Sequence, residues 1–191
     1  MPFEVENKFR VADPAKLRRR IESLGAKFRG SETHSDSYFN HPSRDFRQTD
    51  EALRIRNANG EICLTFKGPR FNSGIKMREE IELPLGPSPD AEQSAITILN
   101  RLGFRFVACV KKRRDVYHLS KERWSIEVCL DDVDHLGTFA EIELVADAAD
   151  LEQAKQLVID LQRELHLGEP ESRSYLKMQL AANSSCPPES S

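Results

Sequence analysis

Met1-Pro2-Phe3-Glu4-Val5-Glu6-Asn7-Lys8-Phe9-Arg10 opens the chain, and its reading decides the fold. With the two-residue period of a strand, Phe3, Val5, Phe9 and Val11 point one way while Glu4, Glu6, Lys8 and Arg10 point the other. A single strand of this kind fits the wet face of an antiparallel sheet. Whether the charges are surface or lining depends on whether the pattern recurs.

It does recur. Strands are expected at Lys27 to Asn40, Ala52 to Asn57, Glu61 to Lys67, Met77 to Pro84, from about Phe104 to His118, Trp124 to Asp131 and Thr138 to Val145. Asn59-Gly60 between two alternating runs predicts a hairpin. Like charges repeat two residues apart: Glu4/Glu6, Arg54/Arg56, Glu80/Glu82, Lys111/Arg113 and Glu141/Glu143. Such pairs repel unless something binds between them, and an ordinary wet face mixes in neutral polar residues. The inward set comprises acids at Glu4, Glu6, Glu80, Glu82, Asp131, Glu141 and Glu143, balanced by bases at Lys8, Arg54, Arg56, Lys67, Arg78, Lys111 and Arg113. Buried dry, this set is prohibitively costly. Inside a hydrated barrel it is tolerable, with the apolar faces outward beneath helices. Clustered acids suit hard divalent cations, and Arg and Lys suit phosphate oxygens. The expected fold is therefore α+β, an eight-stranded antiparallel closed β-barrel with helices packed outside.

Asp13-Pro14 predicts a helix start, with Leu17, Ile21 and Leu24 on one face and Gly25 as the stop. Further helices are expected at Asp90 to Leu102, Asp150 to Leu167 and Ser172 to Leu180. Leu24-Gly25-Ala26-Lys27-Phe28 is echoed by Leu102-Gly103-Phe104-Arg105-Phe106, a hint of two similar halves. Residues 1–181 form the expected domain, and 182–191, rich in Ser and Pro, the expected disordered tail. The loop Gly68 to Lys76 lacks the glycine spacing of a P-loop.

Composition excludes some partners. The 191 residues carry a net charge of -3, so no global basic field favours nucleic acid. No apolar run approaches the roughly 20 residues needed to span a bilayer. Acids stand where a secretory leader needs a basic region, and a cytoplasmic location is the expectation. The four scattered cysteines form no C-x-x-C pair, and the five histidines show no ligand spacing and read as peripheral.

Glu4-Val5-Glu6-Asn7-Lys8 resembles the E-x-E-x-K signature of the CYTH, or triphosphate tunnel metalloenzyme, superfamily. The likeness continues in the family's order through Asp36-Ser37-Tyr38-Phe39, Leu53-Arg54-Ile55-Arg56, Leu64-Thr65-Phe66-Lys67-Gly68, Arg78-Glu79-Glu80-Ile81-Glu82, Lys111-Lys112-Arg113, Leu130-Asp131-Asp132-Val133 and Leu136 to Glu143. The resemblance implies an eight-stranded tunnel acting on a small-molecule triphosphate with Mg²⁺ or Mn²⁺. It implies metal ligation by Glu4, Glu6, Glu141 and Glu143 with Asp131 close by, and phosphate binding by Lys8, Arg54, Arg56, Lys67, Arg78, Lys111 and Arg113. Glu80 and Glu82 fall in a salt-bridged tunnel wall. Lys8, Tyr38 and Lys67 are the implied catalytic residues, Tyr38 matching a tyrosine that helps activate water in hydrolytic members. The motifs look most like the class IV adenylate cyclase-like branch, in which a homodimer is common. A triphosphatase acting on inorganic, thiamine or nucleoside triphosphate is the alternative, and polyphosphate binding without turnover a third.

Overall fold

The computed structural model describes residues 3–69 and 78–184. Eight strands form one antiparallel sheet. They are β1 (Phe3–Arg10), β2 (Lys27–Asn40), β3 (Ala52–Ala58), β4 (Glu61–Lys67), β5 (Glu80–Gly86), β6 (Arg105–Lys121), β7 (Trp124–Val133) and β8 (Gly137–Ala146). The helices are α1 (Pro14–Ser23), α2 (Phe46–Thr49), α3 (Pro89–Arg101), α4 (Leu151–Glu164) and α5 (Tyr175–Ser184).

Local chemistry sets the boundaries. Asp13 caps α1 by accepting from the Lys16 backbone N–H at 2.9 Å. Asn59 and Gly60 both take positive φ, 52° and 95°, which gives the β3–β4 hairpin a turn matched to the sheet's twist. The Leu-Gly echo has a counterpart in space. Gly25 and Gly103 each end a helix at φ 83° and 85°, and the two long strands they introduce, β2 and β6, pair along the middle of the sheet.

The order across the sheet is β1-β8-β7-β6-β2-β3-β4-β5. The expected closed barrel is corrected here. The sheet curls into a half-barrel, and among the described residues β1 and β5 are edges that do not pair with each other. The edges approach through side chains rather than backbone, with the Glu4 carboxyl of β1 set against Glu80 of β5. β5 begins at Glu80, and Met77, the expected first residue of that strand, lies outside the described residues.

The outer face of β1, β6, β7 and β8 carries the main core. Val5, Phe9, Tyr117, Ile126, Val128, Ile142 and Leu144 pack against Leu17 and Ile21 of α1 and Ala154, Val158 and Leu161 of α4. A second apolar cluster joins Ile55 and Ile62 to Leu99 of α3. Helix α5 departs from the expectation that helices lie outside. Its Tyr175 and Met178 pack with Tyr38, Val110, Val133 and Phe139 on the concave side. The helix reaches Ser184, and residues 185–191 of the expected tail, Cys186 included, lie outside the described residues.

Candidate functional site in the concave face

The inner face of the curled sheet encloses a cavity of about 1010 Å³. Because strand side chains alternate, one residue in two along each strand reaches it. β1 supplies Glu4, Glu6 and Lys8, and β8 supplies Glu141 and Glu143 opposite them. Asp36 and Tyr38 come from β2, Arg54 and Arg56 from β3, Lys67 from β4, and Glu80 and Glu82 from β5, with Arg78 just before it. Tyr175, Leu176 and Leu180 of α5 line the cavity as well.

On β6 the expected phase is wrong by one residue. Lys112 and Arg114 line the cavity, whereas Lys111 and Arg113 are exposed on the other side of the strand. There Arg113 lies 3.4 Å from Asp115, an acid also bound by Arg18 of α1. Lys111-Lys112-Arg113-Arg114 is basic at both parities, so charge alone could not fix its phase. Val110 packs under α5 and Val116 lines the cavity, both in phase with Lys112 and Arg114.

Two buried acids organise the cations. Asp36 accepts from Arg54 Nη1 at 3.2 Å, Arg56 Nε at 2.7 Å and Arg56 Nη2 at 2.8 Å. Burial alone would raise its pKa, but the two guanidiniums hold it well below the usual carboxylate range. Asp131, fully buried, accepts from Lys112 Nζ at 2.8 Å, Arg114 Nε at 2.7 Å, Arg114 Nη2 at 2.6 Å and the Tyr175 hydroxyl at 2.9 Å. Arg114 also bonds Glu141, and Lys67 and Arg78 both bond Glu80. Lys8 places its ammonium 4.0 Å above the Tyr175 ring.

Each acid thus fixes two bases in place along the cavity wall. One donor among these bases is conspicuous. Arg54 Nε is buried and has no hydrogen-bond partner. Tyr38 lies against Arg54, its hydroxyl buried and its pKa raised first by burial and then by Asp36. Burial, then Arg54 and Arg78, lower the Lys67 pKa to about 8 despite Glu80.

The other side of the cavity carries excess negative charge. Burial, then Glu4, Glu6 and Glu141, push Glu143 up to about 8. Burial and Glu80 push Glu4 up to about 7. Among the described residues no three acids or other ligating side chains have gathered to metal-binding distance. The donor set is nonetheless all oxygen and crowded with like charge, which fits a hard divalent cation. Glu4, Glu6 and Glu143 are the residues suited to hold one, with Glu141 shared with Arg114. Asp131 is fully engaged by protein donors, and its role is to hold Lys112 and Arg114.

Sequence reasoning missed Lys112, Arg114 and Tyr175, and it took His34 as peripheral when that ring is buried in the cavity wall. Only the period-two link from Asp36 and Tyr38 back to His34 carried that signal. The three described cysteines are free thiols.

The model of the CYTH domain matches residues 2–175. The chain belongs to the CYTH family. A putative adenylate cyclase, MJ0240 of Methanocaldococcus jannaschii, is 34% identical over 180 residues, covering 93% of this chain and 98% of that protein. Adenylate cyclase CyaB of Aeromonas hydrophila is 28% identical over 179 residues, covering 91% of this chain and 86% of the other. Among solved structures, the PH1819 protein of Pyrococcus horikoshii OT3 superposes with a TM-score of 0.83 at 37% identity, covering 94% of this chain and 99% of that one. The family match covers all eight strands and ends at Tyr175, the first residue of α5. Among the described residues no helix is long and apolar enough to cross a membrane.

Proposed function

We propose that this CYTH domain binds the triphosphate of ATP along its concave face and converts it to cyclic AMP and pyrophosphate. The observation that carries the polyphosphate reading is Arg54 Nε, a buried N–H donor left without an acceptor beside cations already fixed by Asp36. Buried donors are almost always satisfied, and an anion in the cavity supplies what is missing. The names of the two curated relatives favour the cyclase reaction over other uses of the same pocket.

In this reading Arg54, Arg56, Lys112, Arg114 and Lys67 hold phosphate oxygens, preorganised by Asp36, Asp131 and Glu80 so that little reorganisation is needed as charge develops. Lys8, held against the Tyr175 ring, adds a further positive charge next to Glu141. A divalent cation on Glu4, Glu6 and Glu143 supplies Lewis-acid stabilisation of the phosphoryl oxygens when bound. Tyr38 is placed to orient the reacting end beside Arg54.

A second reading, hydrolysis of the triphosphate, has its own support. Lys67, with a pKa lowered to about 8, is poised to exchange a proton with a water near neutral pH, and it lies on the same face as Tyr38. Incubating the protein with ATP, thiamine triphosphate and inorganic triphosphate, each with Mg²⁺ or Mn²⁺, separates the two. Cyclic AMP with pyrophosphate establishes the cyclase, and phosphate release without cyclic AMP establishes the hydrolase. Tight binding without product would leave a polyphosphate-binding protein and overturn both.

A further inference from the structure

His34 stands on β2 two residues before Asp36, lines the cavity and is 3% exposed. Its Nε2 lies 2.7 Å from Glu32 Oε2, so that nitrogen carries the hydrogen and donates to the carboxylate. Its Nδ1 is buried and has no hydrogen-bond partner. The charged groups facing the ring are Glu32 from its own strand, Arg56 from β3, and Lys112 and Arg114 from β6. Asp36, the next acid along β2, is bonded to Arg54 and Arg56.

The ring is therefore surrounded unevenly. Burial, then Arg56, Lys112 and Arg114, keep it neutral and lower its pKa to about 4, while Glu32 pulls the other way. A neutral ring with Nε2–H on Glu32 offers only a lone pair at Nδ1. A fully ionised phosphate has no hydrogen to give it. A polyphosphate carries several negative charges, and among these three cations it reverses the electrostatic sign at the ring.

We propose that His34 takes up a proton when a polyphosphate enters the cavity, and that the new Nδ1–H donates to a phosphate oxygen held by Arg56, Lys112 and Arg114. The proton comes from solvent and forms the Nδ1–H bond; no other covalent bond changes. Glu32, already hydrogen-bonded to Nε2, stabilises the imidazolium from its far side. His34 then serves as a phosphate ligand that exists only in the complex, and it makes affinity depend on pH. The bound pKa stands above the free value of about 4. Affinity rises as pH falls through the bound pKa, by up to about tenfold per unit, and levels off below the free one. The inference rests on the polyphosphate reading of the cavity.

Calorimetric titration of the full chain with inorganic triphosphate, without divalent cations, tests both and tells them apart. Run near about pH 6 in buffers of different ionisation enthalpy, it counts protons taken up per complex. H34Q keeps an amide able to donate to Glu32 but cannot titrate, and circular dichroism verifies its fold. Wild type is expected to take up more protons than H34Q, and the ratio of their affinities is expected to widen as pH is lowered. E32Q is expected to fall between them. Equal proton uptake by wild type and H34Q overturns the inference and leaves the polyphosphate reading standing, as expected of a ring that only packs. If H34Q does not fold, uptake by E32Q equal to wild type overturns it instead. A wild-type protein that binds no triphosphate overturns both.

Discussion

Arg114 grips Asp131 with two parallel hydrogen bonds, Nε to Oδ1 at 2.7 Å and Nη2 to Oδ2 at 2.6 Å, where the carboxylate has no solvent exposure. Lys112 and Tyr175 bond the same carboxylate, so this acid holds two buried cations, with Glu141 sharing Arg114, and anchors α5. Removing one partner of a buried pair leaves uncompensated charge, a larger loss than replacing the whole set by apolar residues. D131N is expected to lower unfolding free energy by about 3–5 kcal/mol, read as a reduced denaturant midpoint at unchanged slope. A midpoint equal to wild type would mean that the network does not stabilise the fold.

The phase of β6 yields a sharper contrast. K112A and R114A are expected to weaken triphosphate binding by roughly tenfold or more, since each removes a cation from the cavity wall. K111A and R113A, on the outer face, are expected to bind within about twofold of wild type. Binding titrations of the four variants decide the matter. Losses at Lys111 and Arg113 instead would reverse the orientation assigned here.

Tyr175 separates anchoring from packing. Its ring packs edge-on against Phe139 at 5.2 Å and supports Lys8, and only its hydroxyl reaches Asp131. Y175F is expected to cost about 1.5–3 kcal/mol, the size of one hydrogen bond to a charged acceptor, while Y175A costs more through lost packing. Thermal unfolding of both variants provides the comparison.

The crowded acids set a pH dependence. The folded chain holds protons on Glu143 up to about pH 8 and on Glu4 up to about pH 7, against 4.5 for an unperturbed glutamate. Over that window the folded state binds more protons than the unfolded one, so this contribution to stability is lost as pH rises, at up to ~1.4 kcal/mol per unit for one group. The cation-free protein is expected to melt progressively lower from about pH 5.5 to about pH 8.5, with E143Q flattening the slope. Mg²⁺ is expected to recover much of the loss at the alkaline end by replacing the protons. A melting temperature unmoved by pH and by Mg²⁺ alike would count against a cation among these acids.

E6Q probes the same acids through turnover. It is expected to abolish metal-dependent product formation while circular dichroism shows an intact fold. Wild-type rates in E6Q would remove Glu6 from the set.

Much of this was legible in the chain. A strand has a fixed period of two, so alternation in Glu4-Val5-Glu6-Asn7-Lys8, Arg54-Ile55-Arg56 and Glu141-Ile142-Glu143 assigned these charges to one face without any tertiary information. Asp13-Pro14 and Asn59-Gly60 likewise act through bonds and dihedrals local to a few residues. That is why the helix start and the hairpin turn fall where the sequence placed them. His34 was in phase with Asp36 and Tyr38, yet nothing local shows that a polar ring will be buried with one nitrogen unpaired.

The sequence by itself therefore determined that eight alternating strands would present an ionised face, and which charged residues of six of them share it. Only the tertiary structure decided the phase of Lys111-Lys112-Arg113-Arg114, because side chains basic at both parities are sorted by what covers each face. α1 brings Arg18 to Asp115 on one side, and Asp131 waits for Lys112 and Arg114 on the other. It also decided that the barrel stays open. Closure depends on whether the backbones of β1 and β5 come within pairing distance. With Glu4 set against Glu80 there, two carboxyl side chains meet across the gap instead of a backbone ladder.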